Sequence, residues 1–74
     1  NPSTEVSFSI PLDSHVRLAA YDVRGKEVEL IFEGLQSFGQ HSYTWNASNL
    51  PSGVYYVRLQ AGDLASSQKA LLIK

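Results

Sequence analysis

The sequence predicts an all-β chain, and three observations carry that expectation. No window of about 11 residues or more keeps apolar residues at i, i+3, i+4 and i+7, the spacing an amphipathic helix needs. β-branched and aromatic residues instead gather in short runs, several with a period of two. Turn-forming residues bound those runs, as in Pro11-Leu12-Asp13-Ser14, Asp22-Val23-Arg24-Gly25 and Ala61-Gly62-Asp63. Six such runs, repeating every roughly 8 to 14 residues, suggest two packed antiparallel sheets. The expectation is a small immunoglobulin-like antiparallel β-sandwich of six or seven strands, with a small barrel as the second choice.

The first run, Thr4 to Ile10, alternates Val6, Phe8 and Ile10 with Glu5, Ser7 and Ser9, the pattern of a half-buried strand that Pro11 ends. His15 to Tyr21 follows, with Val16, Leu18 and Ala20 facing one way and Arg17, Ala19 and Tyr21 the other. Asp22 suits the first position of a type I turn, and Gly25 supplies the positive φ of the bulge that closes such a hairpin. The return arm, Lys26 to Glu33, sets Val28, Leu30 and Phe32 against Glu27, Glu29, Ile31 and Glu33. Gly34 to Gly39 reads as a loop in which Leu35 and Phe38 cap the core. Gln40 to Asn46 alternates again, with His41, Tyr43 and Trp45 on one side, and Trp45 is the expected core anchor. Ala47 to Gly53 is too long for a tight hairpin, so the chain is expected to cross between sheets there.

The stretch Leu50 to Leu72 has the strongest strand character. Gly62 at the first central position of Ala61-Gly62-Asp63-Leu64 predicts a type II′ turn. That turn sets a register pairing Leu59 with Ser66, Val57 with Gln68, Tyr55 with Ala70, Arg58 with Ser67, Tyr56 with Lys69 and Val54 with Leu71. Tyr55, Val57, Leu59, Ala70 and Leu72 then face the core. Val54, Tyr56, Leu71 and Ile73 form an outward apolar stripe, which on a small domain points to a partner or a covering element.

At 74 residues the chain has room for one domain, and such a domain buries only roughly 60% of its unfolded surface. A hydrophobic content of 43%, with one Trp, four Tyr and three Phe, supports a packed core. Net charge is −1, from six Lys and Arg against seven Asp and Glu without a basic stripe, so no nucleic-acid partner is expected. No apolar run approaches the roughly 20 residues of a transmembrane helix. Cysteine is absent, which removes disulfides, thiolate metal sites and cysteine nucleophiles. Methionine is absent too, so the chain is expected to be processed or excised from a larger protein.

Catalytic groupings are not evident. His15 and His41 are the only imidazoles, and nothing in the spacing joins them with carboxylates, so each reads as a surface or sheet-edge histidine and no metal or other cofactor is expected. Ser14 and His15 are adjacent on a strand and point to opposite faces, which rules them out as a proton-sharing pair. Asp13, Asp22 and Asp63 fall at turns, where their side chains bond backbone amides two residues on. Tyr21, Tyr43, Trp45, Tyr55 and Tyr56 could stack sugars, although aromatics in a small sandwich are more often core or cross-strand pairs. Asn46-Ala47-Ser48 matches an N-glycosylation acceptor, a tripeptide that chance often supplies. The residues alone therefore predict a non-enzyme with no small-molecule substrate.

Several segments together carry a family likeness: Asn1-Pro2-Ser3-Thr4 leading into Val6 to Ile10, Tyr21-Asp22-Val23-Arg24-Gly25-Lys26-Glu27-Val28, Trp45-Asn46-Ala47, Leu50 to Gly62, and the ending Lys69-Ala70-Leu71-Leu72-Ile73-Lys74. Across essentially its whole length the chain resembles the type A C-terminal sorting domains of the type IX (Por) secretion system of Bacteroidetes and relatives. It is also similar to the related immunoglobulin-like domain of flagellar hook-capping proteins. One departure is the opening, which is often the longer Asn-Pro-Phe-Asn-Pro in that family and here is Asn-Pro-Ser-Thr.

The resemblance implies a single non-catalytic C-terminal sorting domain over residues 1–74, borne by an upstream cargo domain of a secreted protein. It implies as partners the outer-membrane translocon and a sortase-like peptidase, and a route through the periplasm to the cell surface or the exterior. Tyr56, Lys69, Leu71, Ile73 and Lys74 are the residues expected to meet the translocon, while Gly25, Trp45, Gly53, Tyr55, Leu59 and Gly62 are expected to build the fold. The competing expectation is an accessory carbohydrate-binding or structural immunoglobulin-like module, with Trp45 and Tyr56 exposed for the sugar.

Overall fold

The computed structural model describes residues 3–73. Six strands run in chain order, β1 (Ser3–Ile10), β2 (Ser14–Tyr21), β3 (Glu27–Gln36), β4 (Gly39–Asn46), β5 (Gly53–Ala61) and β6 (Leu64–Leu72). β1 pairs with β4, and the other four form an antiparallel sheet in the order β3-β2-β5-β6. The chain is thus an all-β, two-sheet sandwich. Its strand order follows the immunoglobulin-like pattern, with β1 and β4 in the places of strands B and E and β3, β2, β5 and β6 in those of C′, C, F and G.

Alternation does most of the local work. In β1 Val6 and Ile10 are buried while Glu5, Ser7 and Ser9 are exposed. In β2 Val16, Leu18 and Ala20 face the core, and Ala19 on the opposite side is buried as well. Ala19 lies between Leu30 of β3 and Arg58 of β5, so the longer neighbours of this central strand cover its methyl group.

β3 departs from the simple alternation that the sequence suggests. Leu18 faces Phe32 but Ala19 faces Leu30, and Ala20 faces Glu29 but Tyr21 faces Glu27, with register shifts at both steps. Each shift leaves one residue of β3, Ile31 and then Val28, without an opposite number, which is a β-bulge and reverses the phase of the strand. Val28, Ile31 and Phe32 consequently pack against the core, whereas Leu30 turns outward. The strand also continues to Gln36, so only Ser37 and Phe38 remain of the expected loop. Leu35 and Phe38 do not cap the core, being 82% and 69% exposed. Leu35 lies opposite the exposed His15 on the outward side of the ladder, and the Phe38 amide donates to Asp13 Oδ1 at 2.9 Å. Asp13 therefore ties two different turns together and does not serve its own.

The turns otherwise obey their residues. Gly25 sits at φ 86°, its amide donates to Asp22 O at 3.0 Å and the Asp22 amide donates to Lys26 O at 2.9 Å, which is the type I turn with a glycine bulge. Gly62 has φ 57° and is followed by a residue of negative φ, as a type II′ turn requires. The β5–β6 register then comes out as expected, with Leu59 opposite Ser66, Tyr56 opposite Lys69 and Val54 opposite Leu71. Between β4 and β5 the chain crosses to the other sheet. That corner is held by Ser48 N to Asn46 Oδ1 at 3.1 Å, Leu50 N to Ala47 O at 3.0 Å and Tyr55 Oη donating to Pro51 O at 2.7 Å. The last contact is the tyrosine corner of immunoglobulin-like sandwiches, in which a tyrosine near the start of strand F bonds back to the preceding turn.

Trp45 is the largest fully buried side chain, 1% exposed, and packs with Val6, Leu18, Ala20, Tyr55, Val57 and Leu72. Its ring meets Tyr55 edge-on, centroids 6.0 Å apart and planes at 82°, a favoured arrangement of aromatic quadrupoles. Phe32 and Tyr43 stack across the sheets at 4.7 Å, and Gln36 Nε2 donates to the Tyr43 hydroxyl. Trp45 Nε1 has no acceptor among the described residues, so the ring's packing must outweigh the cost of an unmet donor. Truncation to Trp45→Ala is expected to lower the unfolding free energy by about 3–5 kcal/mol. Trp45→Phe, which keeps a ring and removes the unmet N–H, is expected to lose clearly less. Urea unfolding of the two variants checks this, and equal losses would contradict it.

Candidate functional site

The outer face of the four-stranded sheet gathers Arg17, Tyr21, Glu27, Tyr56, Arg58 and Lys69. Directly opposite residues share a face, so the ladder places Arg17 beside Glu33 and Gln60, Ala19 between Leu30 and Arg58, Tyr21 between Glu27 and Tyr56, and Tyr56 beside Lys69.

The β2–β3 half of this face is electrostatically closed. Arg17 donates through Nη1 to Glu27 Oε1 at 2.8 Å and through Nη2 to Glu27 Oε2 at 3.0 Å, a two-pronged geometry that only a guanidinium matches to a carboxylate. The Tyr21 hydroxyl adds a bond to Glu27 Oε1 at 3.4 Å, and Arg17 Nε stands 3.9 Å from Glu33. The hydrogen bond from Arg17 outweighs desolvation and, with the Arg17 charge and the Tyr21 hydroxyl adding to it, holds the Glu27 carboxyl below its ordinary value of 4.5. The same bond raises the Arg17 guanidinium well above its ordinary range. In the adjoining turn Asp22 Oδ1 accepts from the amides of Arg24 at 2.9 Å and Lys26 at 3.0 Å. The Lys26 amide first, and Arg24 after it, hold Asp22 below its ordinary 3.8.

The β5–β6 half is open. Tyr56 is 40% exposed, and Leu71 and Ile73 are 61% exposed. Tyr56, Lys69 and Leu71 share the outer face, Ile73 follows just after the strand, and Lys74 lies outside the described residues. A shallow hollow of about 270 Å³ lies where the two halves meet, lined by Tyr21, Asp22, Val23, Gly25, Tyr56 and Arg58 among others. Sequence reasoning did not single out Arg58 or the Arg17–Glu27 fork. Alternation puts Arg17 and Tyr21 on one face of β2 and Tyr56 and Arg58 on one face of β5, but only the long-range β2–β5 pairing makes those faces continuous.

Of the expected structural residues, Gly25 and Gly62 hold their turns, Gly53 begins β5, and Trp45, Tyr55 and Leu59 lie in or against the core. Burial of Trp45 removes it from any sugar platform. His15 on β2 lies 3.8 Å from Glu33, and His41 on β4, in the other sheet, bonds Ser37 O at 2.7 Å. Among the described residues no group of three or more His, Asp and Glu is placed to hold a metal ion.

Fold and face together define a small β-sandwich with a shallow hollow on the exposed outer face of its larger sheet. A family model, the secretion system C-terminal sorting domain, matches residues 1–74, and the chain belongs to that family, the sorting domains of type IX secretion. Searches of curated proteins and of solved structures each found no match.

The lowered carboxyls of Glu27 and Asp22 make acid sensitivity a test of this face. A carboxyl whose folded value is depressed contributes stability that is fully present above its unfolded value and is lost as pH falls through the folded one. Thermal stability is therefore expected to drop as pH is taken below about 4.5, the ordinary glutamate value. Glu27→Gln is expected to be less stable than the parent at neutral pH and to lose less on acidification. Calorimetry at stepped pH measures both effects.

Proposed function

We propose that this chain is a non-catalytic C-terminal signal that directs an upstream cargo through the outer-membrane type IX translocon to the cell surface or the exterior. The observation that carries this reading is the family match over residues 1–74. The accessible surface at β6 supports it. Among the described residues β6 is flanked only by β5, its residues from Leu64 to Lys69 are all exposed, and it has no proline or glycine to block pairing.

The surface that meets the translocon is β6 with its outward stripe. It comprises Tyr56, Lys69 and Leu71, continued by Ile73 and, in sequence, Lys74. Two modes of contact suit it. A strand of the partner adds to the free edge by main-chain hydrogen bonds, or an apolar surface docks on the stripe. A groove of about 220 Å³ between β1 and β6, with Val6 and Val57 among its lining residues, leaves room beside that edge. After export, a sortase-like peptidase releases the domain from its cargo.

Deleting residues 68–74 from a fusion of a reporter enzyme to this chain is expected to abolish its secretion in a host that carries the system, with the reporter retained in the periplasm. The double substitution Leu71→Ser and Ile73→Ser, which leaves the buried Leu72 in place, is expected to lower the secreted fraction about tenfold, equivalent to about 1.4 kcal/mol of binding. Immunoblotting of medium and periplasm reads both, and undiminished secretion of the deletion variant would refute the assignment.

A further inference from the structure

Two arginines project from the outer face of the four-stranded sheet in opposite circumstances. Arg17 is forked onto Glu27 and lies near Glu33. Arg58, on the adjacent strand, has no ion-pair partner among the described residues, and neither has Lys69. Two acids of this face, Glu27 and Asp22, are already engaged, while Glu5 of β1, on the other sheet, shares the lining of the β1–β6 groove with Lys69 without forming an ion pair. Glu27 is held by Arg17 and Tyr21, and Asp22 accepts two amides of its own turn and faces Arg24. A chain of net charge −1 thus presents a patch here whose uncommitted charges are both positive.

The apolar surroundings of that patch narrow what it would receive. Arg58 lines the hollow where Tyr21 and Tyr56 lie directly opposite one another. Lys69 stands across from Tyr56 on the far side, and Leu71 is the next outward residue of β6. A cation beside a hollow, an aromatic ring, a second cation and then an exposed leucine form an alternation of charged and apolar positions. Anionic membranes call for denser clusters, roughly 4–8 Lys and Arg, and nucleic acid for a continuous basic stripe. Two separated cations with apolar groups between them instead complement a polypeptide in which acidic and apolar side chains alternate. A guanidinium fork also fits the planar carboxylate of such a segment.

We propose that the hollow between Tyr21 and Tyr56 receives a carboxylate side chain of an acidic partner segment. The Arg58 guanidinium grips that carboxylate, Lys69 faces a second acid, and Tyr56 and Leu71 take the apolar residue between them. The proposal rests on the sorting reading above and gives its docking partner a chemistry. It adds Arg58 and Tyr21 to the contact surface.

The test uses the reporter fusion in two arms. In the host, Arg58→Glu is expected to lower the secreted fraction at least tenfold while Arg58→Lys stays within about threefold of the parent, a spread of about 1.4 kcal/mol or more against about 0.6. In solution, the purified fusion is expected to bind a soluble copolymer of glutamate and tyrosine, to lose that binding at high salt, and to lose it at least tenfold in Arg58→Glu. Arg58→Gln, which removes the charge without reversing it, serves if Arg58→Glu fails to fold by circular dichroism. Equal copolymer binding by parent and variant, or binding to phosphatidylglycerol vesicles in place of the copolymer, overturns the proposal. Failure of the unsubstituted fusion to be secreted overturns the sorting reading and leaves the copolymer arm to decide this one.

Discussion

The fold depends on one ladder, the pairing of β2 with β5 between Val16–Tyr21 and Ala61–Tyr56. The β2–β3 and β5–β6 hairpins are local, and each closes on its own turn. Neither has a core until this pairing joins them into one sheet whose inner face carries Leu18, Ala20, Tyr55 and Val57 together. The contact is non-local, so its loop-closure entropy has to be met before any burial is gained. Small residues make it possible. Ala19 and Ala20 let Leu30, Arg58 and Val57 lie across the middle of β2 without crowding.

The second sheet is only two strands wide, and that leaves part of the inner face of the larger one uncovered. β1 and β4 cover β2 and β5, with Trp45 the largest side chain buried between the sheets. They do not cover all of β6, whose Ser66 and Gln68 face inward by register with Leu59 and Val57 yet remain exposed. Polar residues at inward positions of an edge strand are what an uncovered position tolerates. The sandwich is therefore well closed around Trp45 and Leu72 and left open along the inner side of β6 at Ser66 and Gln68.

What was legible in the sequence tracks how locally each feature is determined. Gly62 sets a type II′ turn, the turn sets a register, and the register places Tyr55, Val57 and Leu72 inside and Tyr56 and Leu71 outside. Every step there spans adjacent residues or one hairpin. In β3 the same reasoning failed at Leu30 and Ile31, because the two bulges depend on how the strand must bend to follow β2 and cover the core. Leu35 and Phe38 were misjudged for a related reason. Counting apolar residues does not reveal that β3 extends to Gln36 or that Asp13 anchors the following turn from a distance. The Arg17–Glu27 fork and the bare Arg58 were out of reach for the most direct reason: each is defined by a neighbour on another strand.

On the outer face the acids lie on β3 and in the β2–β3 turn, while cations occur on both halves. Arg17 is close enough to consume Glu27 and to approach Glu33, so the β2–β3 half neutralises itself at short range. No acid lies on β6, so Arg58 and Lys69 are left in excess even though the chain as a whole is slightly acidic. Net charge consequently says little about partners for this chain. Strand order decides which charges cancel, and the β2–β5 ladder that creates the core also places the neutralised half and the uncompensated half side by side.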